Sequence, residues 1–202
     1  MKTKKTKEKT NESPLSDTIK KLQRGPQIVL QKDAGFIIAK TALNKKMTVL
    51  DAGTGSGFLA TYLAAASGKV ITYEKDPRWQ KLAKKNFEAA AKAGIKNILL
   101  KKGDVLAAKE KASSFDLITF DFGDSWKKKA ILKAFRLLKQ GGWLVLYYPT
   151  TKQVQLAVEE LARRFSVIQV DEIIHRRWQP EPLRPETQML GHTAFLVFAR
   201  KS

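Results

Sequence analysis

The chain has 202 residues, 43% of them hydrophobic, and carries 38 Lys and Arg against 19 Asp and Glu, a formal charge of +19. That length suits one α/β domain with a real core and excludes two large ones. With no cysteine and two histidines, His175 and His192, disulfides, thiolate sites and histidine-rich metal centres are excluded, and no metal site is expected. The cation excess points to a polyanionic partner, because each phosphate contact releases condensed counterions.

Residues 1–14 are basic and polar without periodicity, and are expected to form a disordered tail ahead of one domain over 15–202. The first dozen residues lack the apolar core of a secretory signal. No apolar run approaches the ~18 residues of a membrane span, so a soluble, cytoplasmic chain without a membrane partner is expected. Asp33 can cap a helix through Leu43. Met47–Leu50 is a short apolar strand running into Asp51, and Phe58–Ala66 is helical in composition. Val70–Glu74 is a strand, and Pro77 opens a helix that Gly94 ends. Asn97–Lys101 and Phe115–Phe120 are further strands. Trp126–Lys139 is an amphipathic helix expected to close at Gly141–Gly142. Trp143–Tyr148 is a buried strand, Lys152–Arg164 a helix, and Phe165–His175 and Thr193–Arg200 are two long strands. The alternation of strands and helices implies a doubly wound α/β fold. The final pair has no helix between them and is expected to be antiparallel, with a reversed strand at the end of the sheet.

The strongest local motif is Asp51-Ala52-Gly53-Thr54-Gly55-Ser56-Gly57, between a strand and a helix. Its alternate glycines let a backbone approach a ligand, and the helix start beyond offers free N–H groups. The next strand ends in Tyr73-Glu74, ahead of Lys75, and a carboxylate there can accept both ribose hydroxyls of an adenosyl group. The third leads to Asp104 and Val105, where the Asp can accept an adenine N6 amino group and a neighbouring N–H can meet N1. The glycine spacing differs from the Gly-x-Gly-x-x-Gly of NAD enzymes. It resembles the first motif of S-adenosylmethionine methyltransferases. That resemblance implies S-adenosyl-L-methionine as cofactor, Asp51 near its methionine ammonium, and a Rossmann-like class I fold: a mostly parallel seven-stranded sheet with an antiparallel last strand.

Three further segments resemble one family, the tRNA (adenine(58)-N1)-methyltransferases. Arg24 to Gly35, with Gln27 and Lys32-Asp33, looks like its Gln-x-x-Tyr-Pro-Lys-Asp segment, with Leu30 and Gln31 in place of Tyr and Pro. Asp121-Phe122-Gly123-Asp124-Ser125-Trp126 is similar to its Asp-x-Pro-x-Pro-Trp, with Gly123 and Ser125 for the prolines. Arg184-Pro185 to Met189 and Gly191 to Arg200 match its closing run. The resemblance spans Leu22 to Lys201 and implies tRNA as partner, a homotetramer, and adenine 58 or 57 as the target. The family also usually carries a small N-terminal β-rich domain, where only a short tail is expected here.

A carboxylate that accepts adenine N6–H raises the nucleophilicity of N1 and stabilises the positive charge that grows on the base. Asp121 is the candidate for that catalytic role and also borders the cofactor site. Cofactor contacts are expected from Gln27, Asp51, Gly53, Thr54, Gly55, Ser56, Gly57, Glu74, Lys75, Asp104, Val105 and Asp121. Asp124 is a weaker acid candidate. Trp126 reads as a helix anchor, and His192 as a hydrogen-bonding group ahead of a strand. Lys127–Lys129, Arg163–Arg164 and Arg176-Arg177-Trp178 are candidate phosphate contacts. Two rival readings are a methyltransferase of another substrate class, such as protein isoaspartate, and a non-catalytic RNA-binding subunit on the same fold. The second would be expected to lose its glycines and acids, and here they remain.

Overall fold

The computed structural model describes residues 15–25 and 27–202; the expected tail over 1–14 lies outside them. The chain opens with α1 (Leu15–Lys21) and α2 (Gln31–Lys40). Five strands and four helices follow, with no helix between β3 and β4: β1 (Thr48–Ala52), α3 (Phe58–Ala66), β2 (Lys69–Glu74), α4 (Pro77–Lys92), β3 (Ile98–Lys102), β4 (Phe115–Phe120), α5 (Lys128–Leu137), β5 (Leu138–Tyr148) and α6 (Thr151–Leu161). The chain ends with β6 (Val167–Glu172), a small hairpin of β7 (Trp178–Pro180) and β8 (Leu183–Pro185), and β9 (Phe195–Arg200).

One seven-stranded sheet has the order β3-β2-β1-β4-β5-β9-β6. β1 to β5 are parallel, and β9 is antiparallel to both neighbours. The antiparallel last strand is therefore present, but β6 lies outside it and forms the edge. Strands that are buried on both faces read as unbroken apolar runs, which is how Val49, Leu50, Leu117, Ile118, Leu144 and Leu146 sit in the sequence. Their side chains divide between two clusters. One lies under α5 and α6, around Ile131, Leu137 and Leu161. The other lies under α2 and α3, around Ile37, Leu59 and Leu63. Strand order reverses between β1 and β4, and ligands of such sheets bind beyond the carboxyl ends at that switch point.

Several boundaries differ from the sequence expectation. Asp33 does not cap α2. Leu30 holds the cap position, and the buried Asp33 carboxylate instead accepts from Thr193 Oγ1 at 2.9 Å and Lys32 Nζ at 2.7 Å. The helix stops at Lys40, and Ala42 turns with a positive φ of 51°. Gly141–Gly142 do not close α5, because β5 starts directly at Leu138. The last carbonyls of α5 are met by the N–H groups of Ser113 and Ser114, and Lys201 Nζ reaches the carbonyls of Phe135 and Leu138, so no glycine cap is needed. The two glycines instead form an irregularity within β5. Phe115 pairs with Leu138 and Leu117 with Trp143, so β5 loops out against β4. The two long final strands are shorter than expected, and part of their connection forms the separate β7–β8 hairpin. The short α1 was not expected, although Leu15, Ile19 and Leu22 follow helical spacing and pack on the α3 side.

Candidate active site

The β1–α3 turn is set by backbone conformations that favour glycine. Gly53, Gly55 and Gly57 have φ of 88°, 52° and 85°. At Gly53 a Cβ would lie 2.0 Å from the Asp121 carbonyl oxygen, so β4 and the turn can touch only through glycine. Glu74, at the end of β2, braces the turn: Oε2 accepts from Gly55 N–H at 2.8 Å, and Oε1 from Asp76 N–H at 2.9 Å.

These groups face a cleft of about 410 Å³ at the carboxyl edge of the sheet, a size within the range of small-molecule sites. Of the expected cofactor contacts, Gln27, Gly53, Gly55, Ser56, Glu74, Lys75, Asp104, Val105 and Asp121 line it. Asp124 lies on its rim and pairs with Lys127 at 3.0 Å. Asp51, Thr54 and Gly57 are not on its wall. Asp51 lies just beneath, buried, accepting from Thr72 Oγ1 at 2.6 Å and Thr119 Oγ1 at 2.7 Å. Thr54 Oγ1 lies 2.6 Å from Thr72 Oγ1 and extends that network, and Gly57 packs against Phe87. Asp104 is held by Leu106 N–H on Oδ1 at 2.8 Å.

Sequence reading missed Tyr73, Trp79, Leu106 and Phe122, which also form the wall. Phe122 stands directly after Asp121, and Trp79 in the first turn of the helix that follows Glu74; an aromatic beside each acid was the available signal. In place of the family's second proline, buried Ser125 donates to Tyr148 Oη at 3.0 Å, so a hydrogen bond ties this loop to β5. Gly123, in place of the first, stands in open space. Trp126 is partly buried against the core, as a helix anchor should be. His192 bonds Glu172 at 2.5 Å and the Pro149 carbonyl at 3.1 Å, tying the approach to β9 to two neighbouring segments. Arg163 and Arg164 both meet Glu160 at the far end of α6.

The electrostatics of the cleft are one-sided. Among the described residues, the Asp121 side chain has no hydrogen bond or ion pair. Burial, then the Asp51 and Glu74 carboxylates, push its pKa up to about 7. Burial also pushes Asp51 up to about 6, against the hydrogen bonds from Thr72 and Thr119 that lower it. Three mutually repelling carboxylates, Glu74 and Asp121 on the wall and Asp51 beneath it, none with a cationic partner among the described residues, suit a ligand that carries positive charge.

A methyltransferase domain family model matches residues 43–185. The tRNA (adenine(57)-N(1)/adenine(58)-N(1))-methyltransferase TrmI of Methanocaldococcus jannaschii is 34% identical, over 94% of this chain and 77% of its own length. The chain belongs to the TrmI methyltransferase family. The structure of the TrmI tRNA (m1A58) methyltransferase from Aquifex aeolicus superposes with a TM-score of 0.87 and 34% identity, over 94% of this chain and 76% of that one. A SAM-dependent O-methyltransferase from Thermotoga maritima gives 0.83 and 33%, over 94% and 71%. As in other TrmI-family methyltransferases, the cofactor is S-adenosyl-L-methionine. The cleft fits it on its own chemistry: an unobstructed glycine turn, acids at the ends of β2 and β3, and uncompensated carboxylates for its ammonium and sulfonium. No helix among the described residues is long and apolar enough to cross a membrane.

Proposed function

We propose that this chain methylates N1 of an adenine in the T-loop of tRNA, at position 58 or 57. The observation that carries the reading is Asp121: an acid without a partner, on the cleft wall, in backbone contact with the glycine turn. When bound, S-adenosylmethionine supplies a methyl group on a positively charged sulfur, already activated for displacement.

Glu74 keeps lone pairs toward the cleft beyond those used by Gly55 and Asp76, and these accept the ribose hydroxyls. Asp104 uses its open oxygen for the adenine amino group, with Val105 beside it. Gln27 and Ser56 line the same cleft. Asp51 acts from beneath, as a field that favours the ammonium. Asp121 accepts the N6–H of the target base, which turns N1 toward the methyl group and stabilises the positive charge that develops on the ring. N1 lies on the Watson–Crick edge, so the base must leave its tertiary pair to reach Asp121.

The same reading makes the enzyme cytoplasmic and a homotetramer. Edge strand β6 exposes Val167 and Val170, and the β7–β8 hairpin exposes Trp178 and Leu183, apolar surface that a second copy would cover. Light scattering after size exclusion measures that state.

Incubation with unmodified tRNA transcript and S-adenosylmethionine, followed by digestion and nucleoside mass spectrometry, tests the reaction. The expected product is 1-methyladenosine at position 58 or 57. Another methylated nucleoside, or none, overturns the proposal.

A further inference from the structure

α4 has two unlike faces. Its inner face buries Ala83, Asn86 and Ala90. Its outer face exposes Lys81, Lys84, Lys85 and Lys92, with Glu88 the one acid among them. Lys81 stands three and four residues from Lys84 and Lys85, and like charges at that spacing weaken a helix. Arg78 and Lys81 also stand near the positive end of the helix dipole, the wrong end for cations.

Some cations elsewhere in the fold are paired: Lys32 meets Asp33, Lys40 meets Asp171, Lys139 meets Asp116 and Arg164 meets Glu160. None of the four α4 lysines has an ion pair or side-chain hydrogen bond among the described residues. The ridge also has a direction. It starts at the cleft, where Lys75 and Trp79 line the wall, and Lys81 to Lys92 covers about 16 Å at the helical rise. α1 packs on α4, and Lys21 at its end and Arg24 just beyond it are exposed beside that helix.

We propose that the outer face of α4, with Lys21 and Arg24, binds the phosphate backbone of the tRNA whose target base enters the cleft. The proposal rests on the tRNA reading above and names the surface that grips the strand. An unpaired row of point charges leading away from the site matches a polyanion. It offers no aromatic or bidentate readout, so it contributes affinity and register but no sequence preference.

The test compares Lys81→Ala/Lys84→Ala/Lys85→Ala with a control that removes the same charge at scattered exposed sites, Lys46→Ala/Lys96→Ala/Lys152→Ala. Equilibrium binding of tRNA transcript is measured across a salt series, with S-adenosylmethionine calorimetry to report the fold. The ridge variant should bind about tenfold or more weakly, with a salt slope reduced by about two to three, and should keep its cofactor affinity. The control should keep the parent slope. A ridge variant with parental affinity and slope overturns the proposal, as does a ridge that governs binding to anionic phospholipid vesicles and not to tRNA. A parent chain that binds tRNA through the ridge but leaves adenine N1 unmethylated overturns the reaction reading and leaves the ridge standing.

Discussion

The side-chain amide of Asn86 pairs with the backbone of Gln23 as a neighbouring strand would. Gln23 N–H donates to Oδ1 at 2.9 Å, and Nδ2 donates to the Gln23 carbonyl at 2.9 Å. The same Nδ2 donates to the Ser56 carbonyl at 2.7 Å. One buried amide on α4 thus joins the segment leading to Gly25 and Gln27 with the turn that holds Gly53 and Gly55. Asn86→Asp keeps the acceptor and loses both donors, leaving two carbonyls unpaired. It should destabilise the fold by ~1–3 kcal/mol and weaken S-adenosylmethionine binding, because both rims of the cleft hang on it. Thermal unfolding and calorimetry measure the two effects. A variant that melts earlier but binds cofactor as the parent does would reduce Asn86 to a packing role.

Gly53 and Gly123 make a paired test of the backbone. Gly53→Ala places a Cβ against the Asp121 carbonyl in a conformation that L side chains rarely adopt. Its cost should exceed the ~1–3 kcal/mol of backbone strain alone, with loss of cofactor binding. Gly123→Ala meets nothing within 4 Å and should stay within ~0.5 kcal/mol of the parent. Denaturant melts of the two variants decide it. Equal stability would mean that the turn shifts to make room.

The strands around the switch point are legible in the sequence because buried parallel strands are short apolar runs between turn signals. The glycine turn, Glu74, Asp104 and Asp121 are legible because each closes such a run. What escapes is set by partners far along the chain. Asn86 reads as one more polar residue on an amphipathic helix, and its bonds to Gln23 and Ser56 span 63 and 30 positions. Asp33 reads as a cap because caps are local, yet Thr193, 160 positions away, claims its carboxylate. Gly141–Gly142 read as a helix stop because the lysine that replaces the cap is Lys201. The depth of Asp51 follows from its threonine neighbours on β2 and β4, which a strand-end motif does not reveal.

The pH dependence of cofactor binding follows from the two raised acids. Asp121 titrates at about 7 and Asp51 at about 6 in the folded chain, both above the ordinary carboxylate value near 4. The folded chain therefore holds protons that the unfolded chain has released. The stability these groups contribute is complete below about pH 4 and is lost as pH rises through about 6 and 7. A bound cation favours the ionised acids, so S-adenosylmethionine affinity should increase between about pH 5 and pH 8, by up to about tenfold per unit for each proton released. Calorimetry in buffers of different ionisation enthalpy counts those protons. A flat affinity with no proton release would show that the cofactor's charge lies away from both acids.

Asp121 separates binding from chemistry. Its carboxylate faces the cleft without a partner, while Glu74 and Asp104 are already braced by backbone N–H groups on the cofactor side. On the proposed mechanism its bond to the base would strengthen as N1 gains the methyl group and N6–H becomes more acidic, and so would stabilise the transition state more than the bound substrate. Asp121→Ala should lower the single-turnover methylation rate by roughly 10²–10³-fold, the scale of losing one preorganised electrostatic group. S-adenosylmethionine affinity should fall by no more than about tenfold, the scale of the proton linkage at Asp121. Asp121→Asn keeps the shape but not the charge, and should recover little of the rate. Asp124, on the exposed rim and already paired with Lys127, is the control, and Asp124→Ala should lose less than tenfold. Labelled cofactor and tRNA transcript under single-turnover conditions give the rates, and calorimetry gives the cofactor affinity. An Asp121→Ala enzyme that methylates at the parental rate would move the acceptor role to another group on the cleft wall.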